Sequence, residues 1–153
     1  LKVQTSEVSS KLKQNLETLE EYKLKISNFR KDELTKLTQD YSSKSSKIGK
    51  YNVIVETISL ENSNESREVA LNIVNNFDVD ICILFSNISG KTTIVGSTKP
   101  SVDLDISIIT NDLSSLYGGG ASKDPNLSIG GGPGNYETSK AIDVAIKSIT
   151  KLI

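Results

Sequence analysis

Seven of the ten glycines of this 153-residue chain lie in one stretch, YGGGASKDPNLSIGGGPGNY, residues 117–136. Six of them form two triplets, Gly118–Gly120 and Gly130–Gly132. Glycine adopts positive φ without penalty and lets another backbone come close, so the triplets predict tight backbone geometry. The segment between them has turn residues followed by Leu127 and Ile129, which predicts two glycine turns around a short strand or loop. A second interpretation is a nest of backbone amides beside a helix N-terminus, able to hold a phosphate or a nucleotide edge.

The order of these features resembles the motif of the DHH-associated domain. In that motif paired glycines, a basic–Pro–acidic-like segment, an apolar–small–polar step and a second glycine cluster follow one another. The two triplets are similar to the glycine clusters, and Leu127-Ser128-Ile129 stands where the family has its step. The middle departs from the pattern, because Lys123-Asp124-Pro125 is not the usual Arg-Pro-Asp order and Ile129 replaces a polar residue.

This resemblance implies a C-terminal domain of an alanyl-tRNA synthetase, of the archaeal type, whose parent is an alanine–tRNA ligase. The family's domain is implied to bind the outer corner of the L-shaped tRNA, to help the protein dimerise, and to bring aminoacylation and editing modules onto one tRNA. The implied partners are alanine-specific tRNA and a second copy of the chain, in the cytoplasm. Two alternatives stay open: the same domain of a free-standing alanyl-tRNA editing protein, and the substrate-binding domain of a DHH phosphoesterase.

Length and composition suit one soluble domain, or a domain of about a hundred residues with an appendage. Apolar residues make up 36% of the chain and charged residues 24%, and no run of residues predicts a membrane span or a signal peptide. The chain begins at Leu1 rather than Met, so we expect it to be a piece of a longer protein.

Charge is divided unevenly along the chain. Residues 1–50 hold 11 Lys/Arg and 7 Asp/Glu, whereas residues 51–153 hold 7 and 12, for a net charge of −1. A basic segment on an acidic globule is typical of proteins with a polyanion partner, although a solvated helix surface gives the same pattern.

The chain contains no histidine and one cysteine, Cys82, in an apolar run. No imidazole can activate the serines, and the ligands of most zinc sites are missing. The metal-binding Asp-His-His set of DHH phosphoesterases and the His/Cys ligands of alanyl-tRNA editing are missing as well. We therefore expect this fragment to be no enzyme and to hold no metal or cofactor.

Residues 1–48 are predicted to form a helical arm, either one long helix or a helical hairpin. Apolar residues at spacings of three and four describe an amphipathic stripe suited to dimerisation or to folding back on the chain. This apolar stripe consists of Val8, Leu12, Leu16, Leu19, Tyr22, Ile26 and Phe29. The phase then slips by one residue at Leu34, which predicts a break near Ser27–Lys31 and a second helix to about Ser43.

Residues 49–153 are predicted to form a globular α/β domain, a β-sheet covered by helices, after a linker at Ser42–Lys50. Runs of β-branched and apolar residues predict strands at 51–58, 79–85 and 92–98, the last two as a hairpin. Helices are predicted at 62–76 and 137–152. Residues 102–117 fit both a strand and a helix by periodicity, and the family resemblance favours a helix.

The candidate RNA-binding residues are those of the glycine stretch and three lysines in nearby turns. They are Gly118, Gly119, Gly120, Gly130, Gly131 and Gly132 with Lys91, Lys99 and Lys123. The basic part of the arm adds Arg30, Lys31, Lys36, Lys44, Lys47 and Lys50. Backbone amides with scattered lysines suit recognition of RNA by shape rather than by sequence.

Overall fold

A computed structural model describes residues 2–153, with side chains from residue 7 onward. The chain divides into two compact units, Leu1–Lys36 and Leu37–Ile153. The first residue of the predicted arm, Leu1, lies outside the described residues. The helices are α1 (Lys2–Ser42), α2 (Ser63–Asn76), α3 (Ile106–Leu116) and α4 (Thr138–Leu152), and the strands are β1 (Ser46–Ile48), β2 (Tyr51–Thr57), β3 (Ile81–Ile88), β4 (Lys91–Thr98), β5 (Gly120–Ala121) and β6 (Leu127–Gly132).

The arm is one uninterrupted helix of 41 residues, α1. The predicted break near Ser27–Lys31 is therefore wrong, and so is the second helix. Because α1 contains neither glycine nor proline, every residue can keep its helical hydrogen bond. The slip in the apolar pattern instead accompanies a change in burial: Phe29 is 74% exposed, whereas Leu34 is 6% exposed. Among the described residues, no helix has the length and apolar character needed to span a membrane.

The second unit is built on a six-stranded mixed sheet with strand order β1-β2-β3-β4-β6-β5. β2 and β3 are parallel, with α2 between them in sequence, and all other neighbours are antiparallel. The predicted α/β fold, a helical arm followed by a sheet covered by helices, is confirmed. The predicted hairpin is formed by β3 and β4, whose register places Phe85 opposite Ile94.

The main core lies between the sheet and the pair α3 and α4. Alternate side chains of β3 and β4, such as Ile83, Phe85 and Ile94, are buried there with Ile109 of α3 and Ala145 of α4. Burying each large apolar side chain contributes about 1.5–3 kcal/mol relative to leaving it in water. Helix α2 packs against β3 and β4, the two central strands of the sheet.

Helix α3 settles the segment that fitted both a helix and a strand. It is a helix, as the family resemblance favoured, but it begins at Ile106 rather than at residue 102. Asp105 is its N-cap, and the Oδ1 atom of Asp105 accepts hydrogen bonds from the backbone and hydroxyl of Ser107. This cap fixes the start of the helix, because it satisfies a backbone N–H that has no partner within the helix.

The predicted linker at Ser42–Lys50 is partly a strand. β1 pairs with β2 through a turn at Gly49, where φ is +60°, and Ile48 lies opposite Tyr51. Serines and lysines lower the strand propensity of this segment, so only its pairing with β2 reveals it.

Cys82 lies in β3 and is fully buried. Burial raises the pKa of its thiol far above the usual range, because the thiolate would be desolvated. We expect Cys82 to react with a thiol reagent such as Ellman's reagent at pH 8 at least a hundredfold more slowly in the native chain than in 6 M guanidinium. Comparable rates in the two conditions would show that β3 opens readily.

Candidate nucleic-acid interface

The glycine triplets lie at one edge of the sheet. Gly120 begins β5, and Gly130–Gly132 ends β6, which runs between β4 and β5. Gly131 is opposite Thr93 on one side and opposite Gly120 on the other. The segment between the triplets is a strand, one of the predicted alternatives, but the second triplet belongs to that strand and is not a turn beside it.

Two of these glycines are required by close backbone approach. A Cβ atom on Gly119 would lie 1.7 Å from the carbonyl oxygen of Gly131. A Cβ atom on Gly131, whose φ is +140°, would lie 1.9 Å from the carbonyl oxygen of Thr92. Both obstacles are backbone atoms within the sheet, so no side-chain rotation relieves them. The glycine stretch therefore brings three segments of backbone closer together than side chains would allow.

Amide groups of the first triplet are already occupied. The amide of Gly118 donates to the carbonyl of Ser115 at 3.1 Å, and the amide of Gly119 donates to the carbonyl of Ser114 at 3.0 Å. These bonds close the C-terminal end of α3. A nest of free amides beside a helix N-terminus is therefore wrong for these two residues.

Five of the six triplet glycines instead form the floor of a shallow groove, the glycine groove, of about 350 Å³. Its lining consists of Gly119, Gly120, Gly130, Gly131 and Gly132 with Lys91, Thr92, Thr93 and Pro133. Lys91 is placed at its rim by the β3–β4 turn, in which Ser89 and Gly90 have φ of 54° and 78°. The groove thus joins one exposed ammonium group, two threonines and bare backbone, a combination that suits the phosphate–sugar backbone of a nucleic acid.

Lys123 lies outside the glycine groove, in a neighbouring recess of about 330 Å³. It shares that recess with Asp105 and Asn111, among others. The loop that carries Lys123 is ordered by Asp124, whose Oδ1 atom accepts hydrogen bonds from the amides of Asn126 and Leu127 at 2.9 and 3.2 Å. Lys123 therefore directly precedes an Asx turn and lies in a recess separate from the glycine groove.

Lys99 is not part of this arrangement. It follows the last residue of β4, whereas Lys91 is the first, so about 25 Å of strand separates them. Its Nζ atom lies 3.5 Å from the carboxylate of Asp80, and the two side chains are 29% and 21% exposed. Lys91 and five of the six candidate glycines line the glycine groove. Gly118 does not line it, and Lys99 lies at the far end of β4.

The apolar stripe of α1 is exposed along its whole length. Its seven side chains range from 54% exposed at Leu19 to 74% at Phe29. Leu24 is also exposed, at 64%, but the helical period places it on the opposite face. Large contiguous apolar patches are uncommon on monomeric proteins, so this face is a candidate association surface.

Sequence reasoning missed several residues of the groove. Thr92 and Thr93 enter it because β4 pairs with β6, a contact between residues far apart in sequence, whereas Pro133 directly follows the second triplet. Asn111 was missed as well: its Oδ1 atom accepts from the amide of Ala121 at 3.3 Å and so positions β5. No local signal predicts these pairings.

In the described part of the chain, no three His, Cys, Asp or Glu side chains lie close enough together to hold a metal ion.

Comparisons with known proteins give likenesses of structure rather than of sequence. No family model matches the chain, and no curated protein matches it. Among solved structures, the C-Ala domain of Aquifex aeolicus alanyl-tRNA synthetase matches with a TM-score of 0.62 and 14% identity, over 70% of this chain and 98% of that domain.

Two further structures are less similar. An exopolyphosphatase-related protein of Bacteroides fragilis gives a TM-score of 0.49 at 14% identity, and an uncharacterised protein of Helicobacter pylori G27 gives 0.40 at 16%. They cover 77% and 78% of this chain, which spans 35% and 30% of their own lengths. By its TM-score, the chain shares the fold of the C-Ala domain of an alanyl-tRNA synthetase.

Proposed function

We propose that this chain is the C-terminal, tRNA-binding and dimerising region of an alanyl-tRNA synthetase of the archaeal type. The glycine groove with Lys91 contacts the backbone of folded tRNA, at the outer corner that the family resemblance implies. The helical arm joins two copies through its apolar stripe. The region acts in the cytoplasm, where its parent charges alanine-specific tRNA, and it links aminoacylation and editing without catalysing either.

The observation that carries this proposal is the fold shared with the C-Ala domain over nearly the whole of that domain. The glycine motif supports the proposal independently, because it is a feature of the sequence, whereas the shared fold is a similarity of backbone structure. Glycines from both of the triplets that carry the family resemblance line one groove.

The groove suits modest binding through shape. It offers Lys91 as a charge, the neighbouring Thr92 and Thr93, and a floor formed mainly by glycine backbone. Contacts of this kind reach phosphates and sugars, which position RNA without reading its sequence. Modest affinity is sufficient in a longer synthetase, since tethering to other tRNA-binding modules raises the effective concentration.

The test is a titration of folded alanine tRNA against the chain and its Lys91→Gln variant at several salt concentrations. We expect Lys91→Gln to make the slope of log K against log salt shallower by about one, since one phosphate contact is lost. The side chain is exposed, so the variant should fold like the parent.

Two controls carry the same change of charge. Lys140→Gln removes an exposed lysine of α4 that pairs with Glu137. Lys99→Gln removes the lysine at the far end of β4. Both should bind tRNA like the parent. If Lys91→Gln and Lys140→Gln change the salt slope equally, RNA binding by the glycine groove is contradicted. Equal affinity for folded tRNA and for an unstructured RNA of the same length would contradict recognition by shape.

A further inference from the structure

A second basic surface lies at the opposite edge of the sheet from the glycine groove. The segment from 44 to 50 reads KSSKIGK, with a lysine at every third position and no acidic residue. Residues 51–153, which follow it, include more acidic than basic residues. Positive charge in the second unit is thus concentrated in the segment that forms β1 and its turns.

β1 is the outermost strand of the described sheet, and the exposed Ser46 and Lys47 lie on it. The flanking lysines lie just before and just after the strand. Lys47 lies on β1 itself, Lys44 lies in the turn that follows α1, and Lys50 lies in the turn that joins β1 to β2. We call these three lysines the β1 edge.

Aromatic rings lie beside two of these lysines. The Nζ atom of Lys44 lies 4.3 Å from the ring centre of Tyr41, and the Tyr41 hydroxyl donates to the carbonyl of Thr57 at 2.8 Å. The Nζ atom of Lys50 lies 5.1 Å from the ring centre of Tyr51. Such cation–π contacts restrict a long side chain, which lowers the entropy cost of binding a ligand.

The charges of the β1 edge are also available. Among the described residues, no carboxylate lies within ion-pair distance of these three lysines, in contrast to Lys99 with Asp80 and Lys140 with Glu137. Asp103 lines a recess with Lys50 and Tyr51. Within the described part of the chain, the edge therefore presents three lysines that form no ion pair.

We propose that the β1 edge is a second RNA-contact surface, which binds backbone phosphates through Lys44, Lys47 and Lys50. This inference rests on the proposed function, since it takes RNA as the partner. Five strand spacings separate the edge from β5, a distance of about 24 Å. Sites that far apart should contribute to binding independently.

The experiment compares two double variants with the same change of charge. Lys44→Gln with Lys47→Gln removes two lysines of the β1 edge, and Lys140→Gln with Lys147→Gln removes two lysines of α4. Folded tRNA is titrated against both at 50 to 200 mM salt. We expect the edge variant to bind about tenfold more weakly at 50 mM salt, with a slope shallower by about two, and the control to match the parent.

Combining the edge variant with Lys91→Gln should reduce the slope by the sum of the two separate effects. If the edge variant binds tRNA like the parent while Lys91→Gln weakens binding, the β1 edge is no RNA surface and the glycine groove stands. If the edge variant weakens binding and Lys91→Gln does not, the groove fails and the edge stands. A parent chain that binds no tRNA overturns both proposals.

Two further outcomes would also overturn the inference. Lysines on an edge strand prevent sheets from pairing edge to edge, so an edge variant that aggregates yet binds tRNA normally would assign the lysines to that protective role. Tighter binding of the parent to vesicles with 30% phosphatidylserine than to tRNA, lost in the edge variant, would assign the edge to an anionic membrane surface instead.

Discussion

Gly119→Ala is expected to destabilise the second unit by at least about 4 kcal/mol, which would leave much of the protein unfolded. The added methyl group would lie 1.7 Å from the carbonyl oxygen of Gly131, well inside van der Waals contact. β6 cannot retreat without losing its pairing with β4, so the clash breaks the sheet edge rather than moving a side chain. Urea unfolding followed by far-UV circular dichroism measures the loss.

Gly120→Ala is the matched control for this prediction. Its φ is not positive, and an added Cβ would meet the Oδ1 atom of Asn111 at 3.6 Å, an ordinary contact. We expect its stability to stay within about 0.5 kcal/mol of the parent. An unfolding midpoint for Gly119→Ala equal to that of Gly120→Ala would show that the glycine contact in the structure is wrong. This result also determines which glycine variants are usable in RNA-binding experiments.

The largest expected change in assembly comes from Leu12→Asp combined with Leu19→Asp. We expect the parent chain to be a dimer by light scattering at tens of micromolar, and this variant to be a monomer. Each leucine that the dimer interface buries contributes about 1.5–3 kcal/mol to the free energy of association. A symmetric interface loses two copies of each leucine. Both side chains are more than half exposed in the single chain, so the substitutions leave its core intact.

Leu24→Asp is the control for the arm. It introduces the same charge at a leucine that is 64% exposed on the opposite face of α1. The dimer should persist in this variant. A monomeric parent would remove the dimer from the proposed function and favour an arm that binds another segment. Dissociation of the dimer by Leu24→Asp would show that charge on the arm, rather than the apolar stripe, controls assembly.

Local sequence signals were sufficient for most elements of the fold. β-Branched runs identified β2 and β4, the apolar run identified β3, and helical periodicity identified α2 and α4. These signals act within about a dozen residues, through backbone propensity and the alternation of buried and exposed positions. The resemblance of the glycine stretch added a helix at α3, where periodicity alone was ambiguous.

The site depended on contacts that no local signal encodes. The glycines were found from sequence, but their role as sites of backbone contact follows from the pairing of β6 with both β4 and β5. The same pairing brings Lys91 to the groove, while the length of β4 carries Lys99 to an ion pair elsewhere. The predicted break in α1 and the predicted linker before β2 were wrong because they, too, depend on tertiary contacts. The burial of Leu34 and the pairing of β1 with β2 are not visible in the local sequence.

Composition and periodicity along the chain determined the α/β class, the exposed stripe of the arm and the lack of histidine chemistry. Strand order and register determined which lysines meet the glycines, and which stand at the β1 edge. The physical cause is that propensity and amphipathicity are properties of neighbouring residues, whereas pairing between distant strands is selected by the packing of the whole sheet.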